Sequence, residues 1–323
     1  MNYRTLGKTG VQVSNICFGA MSFGGIADED TSKAMFNRCR EVGINFFDTA
    51  DVYTGGRSEE ILGKLIADCR NDIVLTSKFC LPTGKEVNAR GMSRRHMKLS
   101  VEESLKRLGT DWIDVYFVHH FDSETAIEET LRGLDDLQKQ GKILYPAVSN
   151  WAAWQIAKAL GISSKEGLAR FECIQPMYNL VKRQSEVEIL PLAESEKLGV
   201  ISYSPLAAGL LTGKYNAGAK LSQGRFIEHE GTQQRYAEQI YSEVAERFNK
   251  HASERGENPA SLAIAWVMAN PAITAPIIGA RNMEQLEPLL AALNIEMTQE
   301  WRQEISALSI TPPPATDRTE EVV

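Results

Sequence analysis

The chain has 323 residues, 43% of them apolar, with a formal net charge of −7 and a pI near 5.5. Length alone would allow two average domains, but α/β barrels of this size form one, and the apolar content can fill a large core. The acidic balance excludes a general nucleic-acid or anionic-membrane surface, because such surfaces need clustered lysine and arginine to neutralise phosphates.

From the N-terminus, Tyr3 to Leu6 and Val11 to Val13 flank Gly7 and a Thr9-Gly10 turn, which predicts a small β-hairpin. The apolar run Ile16 to Ala20 comes next, then an amphipathic segment from Asp30 to Val42. The alternation repeats with a strand at Ile44 to Phe47 and a helix at Ser58 to Cys69, then a strand at Ile73 to Ser77 and a helix at Arg94 to Leu108. It continues with a strand at Ile113 to Val118, a helix at Glu124 to Gln140, a strand at Ile143 to Ser149 and a helix at Trp151 to Leu160. Cys173 to Gln175, Val200 to Tyr203 and Thr274 to Ile278 are the last three apolar runs, each trailed by helical periodicity.

About eight such units predict a (β/α)8 TIM barrel with an N-terminal β-hairpin. Ala207 to Arg235 is long, Gly-rich and polar, as a functional loop over the strand ends would be, and helices are expected at Tyr236 to Gly256 and Ala260 to Ala269. Residues 1–310 are expected to form a single domain, and 311–323, TPPPATDRTEEVV, an extended charged tail. Five scattered cysteines (Cys17, Cys39, Cys69, Cys80 and Cys173) without a C-x-x-C pair suggest reduced thiols rather than a disulfide framework or a zinc site. The N-terminus lacks the apolar core of a signal peptide, and no run approaches the roughly 18 apolar residues that span a bilayer. A cytoplasmic protein, monomeric or weakly self-associating, is the expectation.

In a parallel barrel the chemistry gathers at the carboxyl ends of the strands. Asp48 stands where the second barrel strand stops, with Tyr53 beyond it; Lys78 lies after the third, in LTSKF, and His119 after the fourth, in VYFVHHFD. Each alone would more often be structural, as one half of an ion pair or a satisfied core group. Converging on one mouth, the four make a proton-transfer site. A phenol with an ordinary pKa of about 10 donates poorly near neutral pH unless a cation favours its ionised form, and Lys78 is suited to that with Asp48 as counter-ion. Proton donation to a carbonyl that accepts hydride is the natural reaction, and hydride requires a nicotinamide or flavin cofactor.

D-T-A-x-x-Y with G-R-S-E-E-x-L-G after it, then T-S-K-F and D-x-Y-F-V-H, in this order, strongly resembles the aldo-keto reductases. The likeness continues through VSNW at Val148 to Trp151, QPMYNL at Gln175 to Leu180, YSPLAAGLLTGKY at Tyr203 to Tyr215 and IIGARNMEQL at Ile278 to Leu286. It implies a barrel that binds NADPH across its mouth without a Rossmann domain. The chain agrees in lacking a G-x-G-x-x-G after an early strand. By resemblance, Tyr53 is the general acid, Lys78 and Asp48 are its activators, and His119 orients the substrate.

The resemblance also assigns the cofactor. Gly19, Ala20, Met21 and Asp48 are among the residues it would touch. Ser149 and Asn150 would bind the carboxamide beside Gln175, and Tyr203 would stack on the ring. Ser204, Leu206, Gly209 and Leu211 would cradle the pyrophosphate, with Lys214 and Arg225 reaching phosphate. Gly279, Arg281 and Gln285 would clamp the adenosine 2′-phosphate end, where a helix N-terminus and a guanidinium favour an anion. One departure is Pro288-Leu289, where the family usually has Glu-Asn, which places NADP over NAD preference mainly on Arg281, with help from Lys214 and Arg225.

Several of these residues admit other roles. Ser149 and Asn150 could cap a helix starting at Trp151. His119 and His120 point to opposite faces of a strand and are poor joint metal ligands, and His96, after Arg94 and Arg95, reads as a solvated helix face. Met21, Phe23, Phe79 to Pro82, Phe121, Trp151 and the 207 to 236 loop are candidate pocket walls, which suggests an aldehyde or ketone with an apolar body. An alternative function is a nucleotide-sensing subunit like the β subunits of voltage-gated potassium channels. The complete tetrad, and a chain that opens directly on the hairpin, favour the enzyme.

Overall fold

The expected alternation is realised in a computed structural model, which describes residues 1–214, 230–316, 318 and 320. The opening hairpin is β1 (Tyr3–Thr5) paired antiparallel with β2 (Gln12–Ser14). Eight parallel strands then close a barrel: β3 (Cys17–Gly19), β4 (Phe46–Asp48), β5 (Val74–Phe79), β6 (Ile113–Val118), β7 (Ile143–Ser149), β8 (Cys173–Gln175), β9 (Gly199–Ser202) and β10 (Ala275–Ile278). They pair in chain order, and β10 closes on β3.

Helices α1 (Glu29–Glu41), α2 (Arg57–Ile66), α3 (Arg94–Leu108), α4 (Ile127–Lys139), α5 (Ala153–Glu166) and α6 (Ile189–Glu196) come after β3 to β8 in turn. After β9 come α7 (Glu230–Arg235), α8 (Gln239–Glu254) and α9 (Pro259–Met268), and after β10 come α10 (Met283–Leu290) and α11 (Gln299–Ser306). The final helix is not expected from the sequence, because its outward face is polar and only Ile305 is fully buried. Residues 311–316 form no helix or strand.

Strand alternation sorts the core into two compartments. Phe18, Phe47, Leu75, Phe79, Tyr116 and Val148 face outward under the helices, whereas Cys17, Phe46, Val74, Phe117, Ala147 and Cys173 fill the barrel. Leu6 and Val13 of the hairpin join the inner group and plug the amino-terminal end. The interior is therefore apolar at the bottom and middle. At the carboxyl end the inward positions turn polar: Asp48 two residues above Phe46, Ser149 two above Ala147, and Gln175 two above Cys173.

This sorting corrects two pocket assignments. Phe23 and Phe79 are fully buried in the outer compartment, with Phe79 stacked on Tyr116 at 5.2 Å, so neither lines the mouth. His96 is corrected too. On α3 it is 2% exposed and packs 6.2 Å from the Phe79 ring, and burial lowers its pKa.

Candidate active site

The β4 strand ends on Asp48 itself, and Lys78 lies one residue inside β5 rather than past its end. Register puts Asp48 opposite Thr76, and inward alternation brings Thr76 and Lys78 to the same wall. Lys78 is fully buried. Its Nζ donates to Asp48 Oδ1 and Oδ2 at 2.7 and 2.6 Å and to the Thr49 carbonyl at 2.7 Å, and it reaches the Tyr53 hydroxyl at 3.4 Å. Burial alone pulls this ammonium down, but Asp48 and Tyr53 outweigh it, and its pKa is raised.

Asp48 Oδ1 also accepts from Thr76 Oγ1 at 2.6 Å and from Gln175 Nε2 at 2.9 Å. A carboxylate so filled with donors serves as the counter-ion of Lys78. His119 stands across from Tyr53, ring edge to ring face at 5.8 Å. Burial first, then Lys78 and His120, depress its pKa to about 3, so the imidazole is uncharged at neutral pH. Its Nδ1 is buried without a partner among the described residues. His120 turns outward, against the Phe121 carbonyl. The four expected residues are thus brought together.

The G-R-S-E-E motif anchors the turn that carries the phenol. Tyr53 opens a short turn in which Thr54, Gly55 and Gly56 hold φ of 52°, 63° and 90°, and the two glycines take that region at little cost. A Cβ on Gly56 would also sit 2.8 Å from Arg107 Cδ. Ser58 Oγ then donates to the Ala20 carbonyl at 2.7 Å and lies 2.8 Å from Thr49 Oγ1. Glu59, fully buried, accepts from Ser77 at 2.5 Å and from Arg107 at 2.7 Å. The start of α2 is thereby fastened to β5 and α3, which fixes where Tyr53 can be.

Asp51 does not stand out in the sequence, yet it is 3% exposed and both its carboxylate oxygens lack a partner among the described residues. Burial, then Glu59, push its pKa up to about 8, against the weaker pull of Arg107, the neighbouring Val52 N–H and Lys78. The folded protein therefore holds a proton that the unfolded chain releases above about pH 3.8. Stability from this group is intact below that value and is lost progressively up to about pH 8. Asp51→Asn, which cannot ionise, should be more stable than wild type by roughly 4 to 6 kcal/mol near the upper limit, with the gap closing toward pH 4. Urea unfolding across that range checks it, and a gap that does not vary with pH would contradict it.

Of the expected cofactor residues, Gly19 pairs with Asp48 in the sheet, and a Cβ on it would lie 2.8 Å from Ile277. Ala20 is fully buried and donates its N–H to the Asp48 carbonyl at 2.8 Å, while Met21 is 39% exposed. Ser149 donates to the Gln175 carbonyl at 3.0 Å. Asn150, at φ 60°, bridges strands: Nδ2 donates to the His119 carbonyl and to Ser149 Oγ, both at 3.0 Å, and Oδ1 accepts from the Tyr203 hydroxyl at 2.7 Å. Neither residue caps α5, whose N-cap is Ala152.

Leu206 and Lys214 lie on the segment after β9, and Leu211 is fully buried there, so it can offer only backbone. Gly279 is exposed, and Gln285 Oε1 accepts the Arg281 N–H at 3.1 Å. Arg225 lies outside the described residues. Leu289 is 4% exposed in the core, and Pro288 sits inside α10 with its carbonyl accepting from Ser261 at 2.6 Å. Beyond His119, Phe121 meets Trp151 edge to face at 5.0 Å and Trp154 at 6.4 Å, and Trp154 is 62% exposed. Trp154 escapes sequence reasoning because it falls inside an amphipathic helix.

Among the described residues no helix is long and apolar enough to cross a membrane, and no cluster of three or more His, Cys, Asp or Glu could hold a metal. The aldo/keto reductase family model matches residues 15–310. The chain is 37% identical over 302 residues to a probable voltage-gated potassium channel subunit beta of Arabidopsis thaliana, covering 91% of this chain and 92% of that one. It is 37% identical to an uncharacterized oxidoreductase of Bacillus subtilis, YrpG, covering 93% of each. It is 32% identical to norsolorinic acid reductase of Aspergillus flavus, covering 92% of this chain and 78% of that one. A barrel closed in this order, with these residues at its mouth and relatives aligned along nearly its whole length, belongs to the aldo/keto reductase family of oxidoreductases.

Proposed function

We propose that the protein reduces the carbonyl of an aldehyde or ketone to an alcohol, with NADP(H) as hydride source and Tyr53 as proton donor. The observation that carries this reading is the Lys78 ammonium, held between the Asp48 carboxylate and the Tyr53 hydroxyl beside an uncharged His119. A phenol that gives up its proton leaves a phenolate, and the adjacent ammonium stabilises it. Asp48 keeps that buried ammonium charged. Neutral His119 orients the carbonyl oxygen toward Tyr53 by hydrogen bonding. The exposed ring of Trp154, with Phe121 and Trp151, supports a substrate with an apolar or aromatic body. We assign the activity to residues 1–310, in the cytoplasm, with 311–323 as a tail.

The residues present fit a nicotinamide dinucleotide. Ser204, Ala207, Ala208 and Gly209 have positive φ, and Leu206 between them is near the right-handed region. Such alternation forms an anion-binding concavity, which suits a pyrophosphate. Ser204, Leu206, Gly209, Leu211 and Lys214 would hold it there. Asn150 and Tyr203, already locked together, would present the nicotinamide end with Ser149, Gln175 and the Gly19–Met21 turn. Bound there, the cofactor supplies hydride to the carbonyl carbon.

At the far end, Gly279, Arg281 and Gln285 would grip the 2′-phosphate at the start of α10, whose N-cap is Asn282. With Pro288 and Leu289 engaged in helix and core, discrimination against NADH rests on Arg281. Arg281→Ala is expected to raise the NADPH dissociation constant by about 10- to 100-fold and to leave that of NADH within about twofold. Equal changes in the two constants would remove the 2′-phosphate assignment.

Relatives named as potassium channel β subunits favour a second reading, in which cofactor binding signals to a partner protein. Relatives named norsolorinic acid reductase favour turnover. NADPH oxidation against aldehydes, quinones, sugars and ketosteroids separates the two. Multiple turnovers are expected with at least one class, and NADPH binding with no turnover across the panel would leave only the regulatory reading.

A further inference from the structure

The segment after β9 leaves the strand through backbone that side chains disfavour: Ser204, Ala207 and Ala208 hold φ of 58°, 49° and 57°. Residues persist there only where their surroundings over-determine them. Ser204 is held from outside its own segment. Asn179, fully buried beyond β8, donates from Nδ2 to the Ser204 carbonyl at 2.9 Å and to the Tyr236 hydroxyl at 3.2 Å. Its Oδ1 accepts the Lys182 N–H at 2.9 Å, so both ends of the side-chain amide are engaged. Tyr236, 3% exposed, lies just past α7, and its ring meets Tyr241 edge-on at 6.2 Å. Lys182 donates to the Tyr241 hydroxyl at 3.1 Å and lies 5.7 Å from the Tyr236 ring.

One amide thus ties the residue that leaves the barrel to a residue packed on the far side of that excursion. We propose that Asn179 is a positioning residue for the cofactor: by fixing the Ser204 carbonyl against the Tyr236 hydroxyl, it holds the 204–213 backbone in the shape that receives a pyrophosphate. The proposal rests on the assignment of that backbone to the cofactor phosphates. Asparagine is suited to the task because its planar amide carries two donors and an acceptor in fixed directions. An apolar isostere would leave the Lys182 N–H only the Asn179 carbonyl, at 3.1 Å, as acceptor, and Ser204 without its outside donor.

The test is a double-substitution cycle on the full-length protein, read by NADPH titration, steady-state kinetics and amide exchange without cofactor. Asn179→Ala is expected to raise Kd and KM for NADPH about tenfold, with kcat at saturating NADPH within about twofold of wild type. Exchange should quicken at the Ala207 N–H, which donates to the Ser204 carbonyl at 3.0 Å. Glycine adopts positive φ freely, so in a Ser204→Gly background the same change should cost less than about threefold.

Equal losses in both backgrounds, or an unchanged NADPH constant in folded Asn179→Ala, overturn the proposal while leaving the cofactor reading intact. Wild type that binds no NADPH removes the cofactor reading and this proposal with it. If Asn179→Ala does not fold, Tyr236→Phe carries the test by removing the hydroxyl that accepts from Asn179 and donates to Met177 Sδ, while keeping the ring. A rise of about threefold in KM for NADPH supports the clamp, and no rise overturns it.

Discussion

Tyr53→Phe is expected to bind NADPH within about twofold of wild type and to lose about 10² to 10⁴ in kcat. The ring is retained, so its edge-to-face contact with His119 at 5.8 Å and the shape of the mouth should survive. What disappears is the hydroxyl 3.4 Å from Lys78 Nζ, and with it the proposed proton donor. Among the described residues no nearby group is ready to replace it. His119 is uncharged at neutral pH, since its pKa is depressed to about 3, and Asp48 is filled by donors from Thr76, Lys78 and Gln175. Single-turnover measurement of NADPH oxidation isolates the chemical step from cofactor release. Turnover near the wild-type rate in this variant would take the acid role away from Tyr53.

Lys78→Met should damage both chemistry and fold, and the two losses can be separated. Removing the ammonium leaves the Asp48 carboxylate buried with only Thr76 and Gln175 as side-chain donors among the described residues. Breaking a buried pair from one side costs about 3 to 5 kcal/mol, because the remaining charge is uncompensated. Turnover should also fall by at least about 10², since nothing then stabilises the phenolate. Adding Asp48→Asn to Lys78→Met removes the stranded charge. It should restore most of the stability in urea unfolding and none of the turnover. A Lys78→Met protein that is destabilised yet turns over normally would reduce the pair to scaffolding.

The barrel is legible in the sequence because its strands are short apolar runs at regular intervals, and α3, β6, β7 and β8 occupy the expected spans. The tetrad is legible because charged and titratable residues recur where successive apolar runs stop, and a closed barrel brings those strand ends to one mouth. Facing is harder to read. Phe79 and Lys78 are neighbours in one apolar run, and only the parity of β5 within the closed barrel sends one to the helices and the other to the mouth. His96 comes after two arginines that suggest solvent, but the packing of α3 on β5 decides its burial. Asp51 looks like an ordinary polar loop residue, and its unpartnered carboxyl exists only in the folded protein. The clamp at Asn179 joins residues far apart in the chain, which local pattern cannot reveal.

The Asp48 carboxylate reaches farther than its neighbours in sequence suggest. It stands on β4, yet it accepts from Gln175 on β8, the strand diametrically opposite in the closed order. Slipping β5 by one residue would send Lys78 outward among the helices and turn Ser77 inward, stranding a charge on each side. The same atoms proposed to tune the acid therefore act as a gauge of assembly. A barrel closed in the wrong register would lack both its chemistry and one of its transverse ties, so a misassembled chain would be inactive and exposed to proteolysis at once.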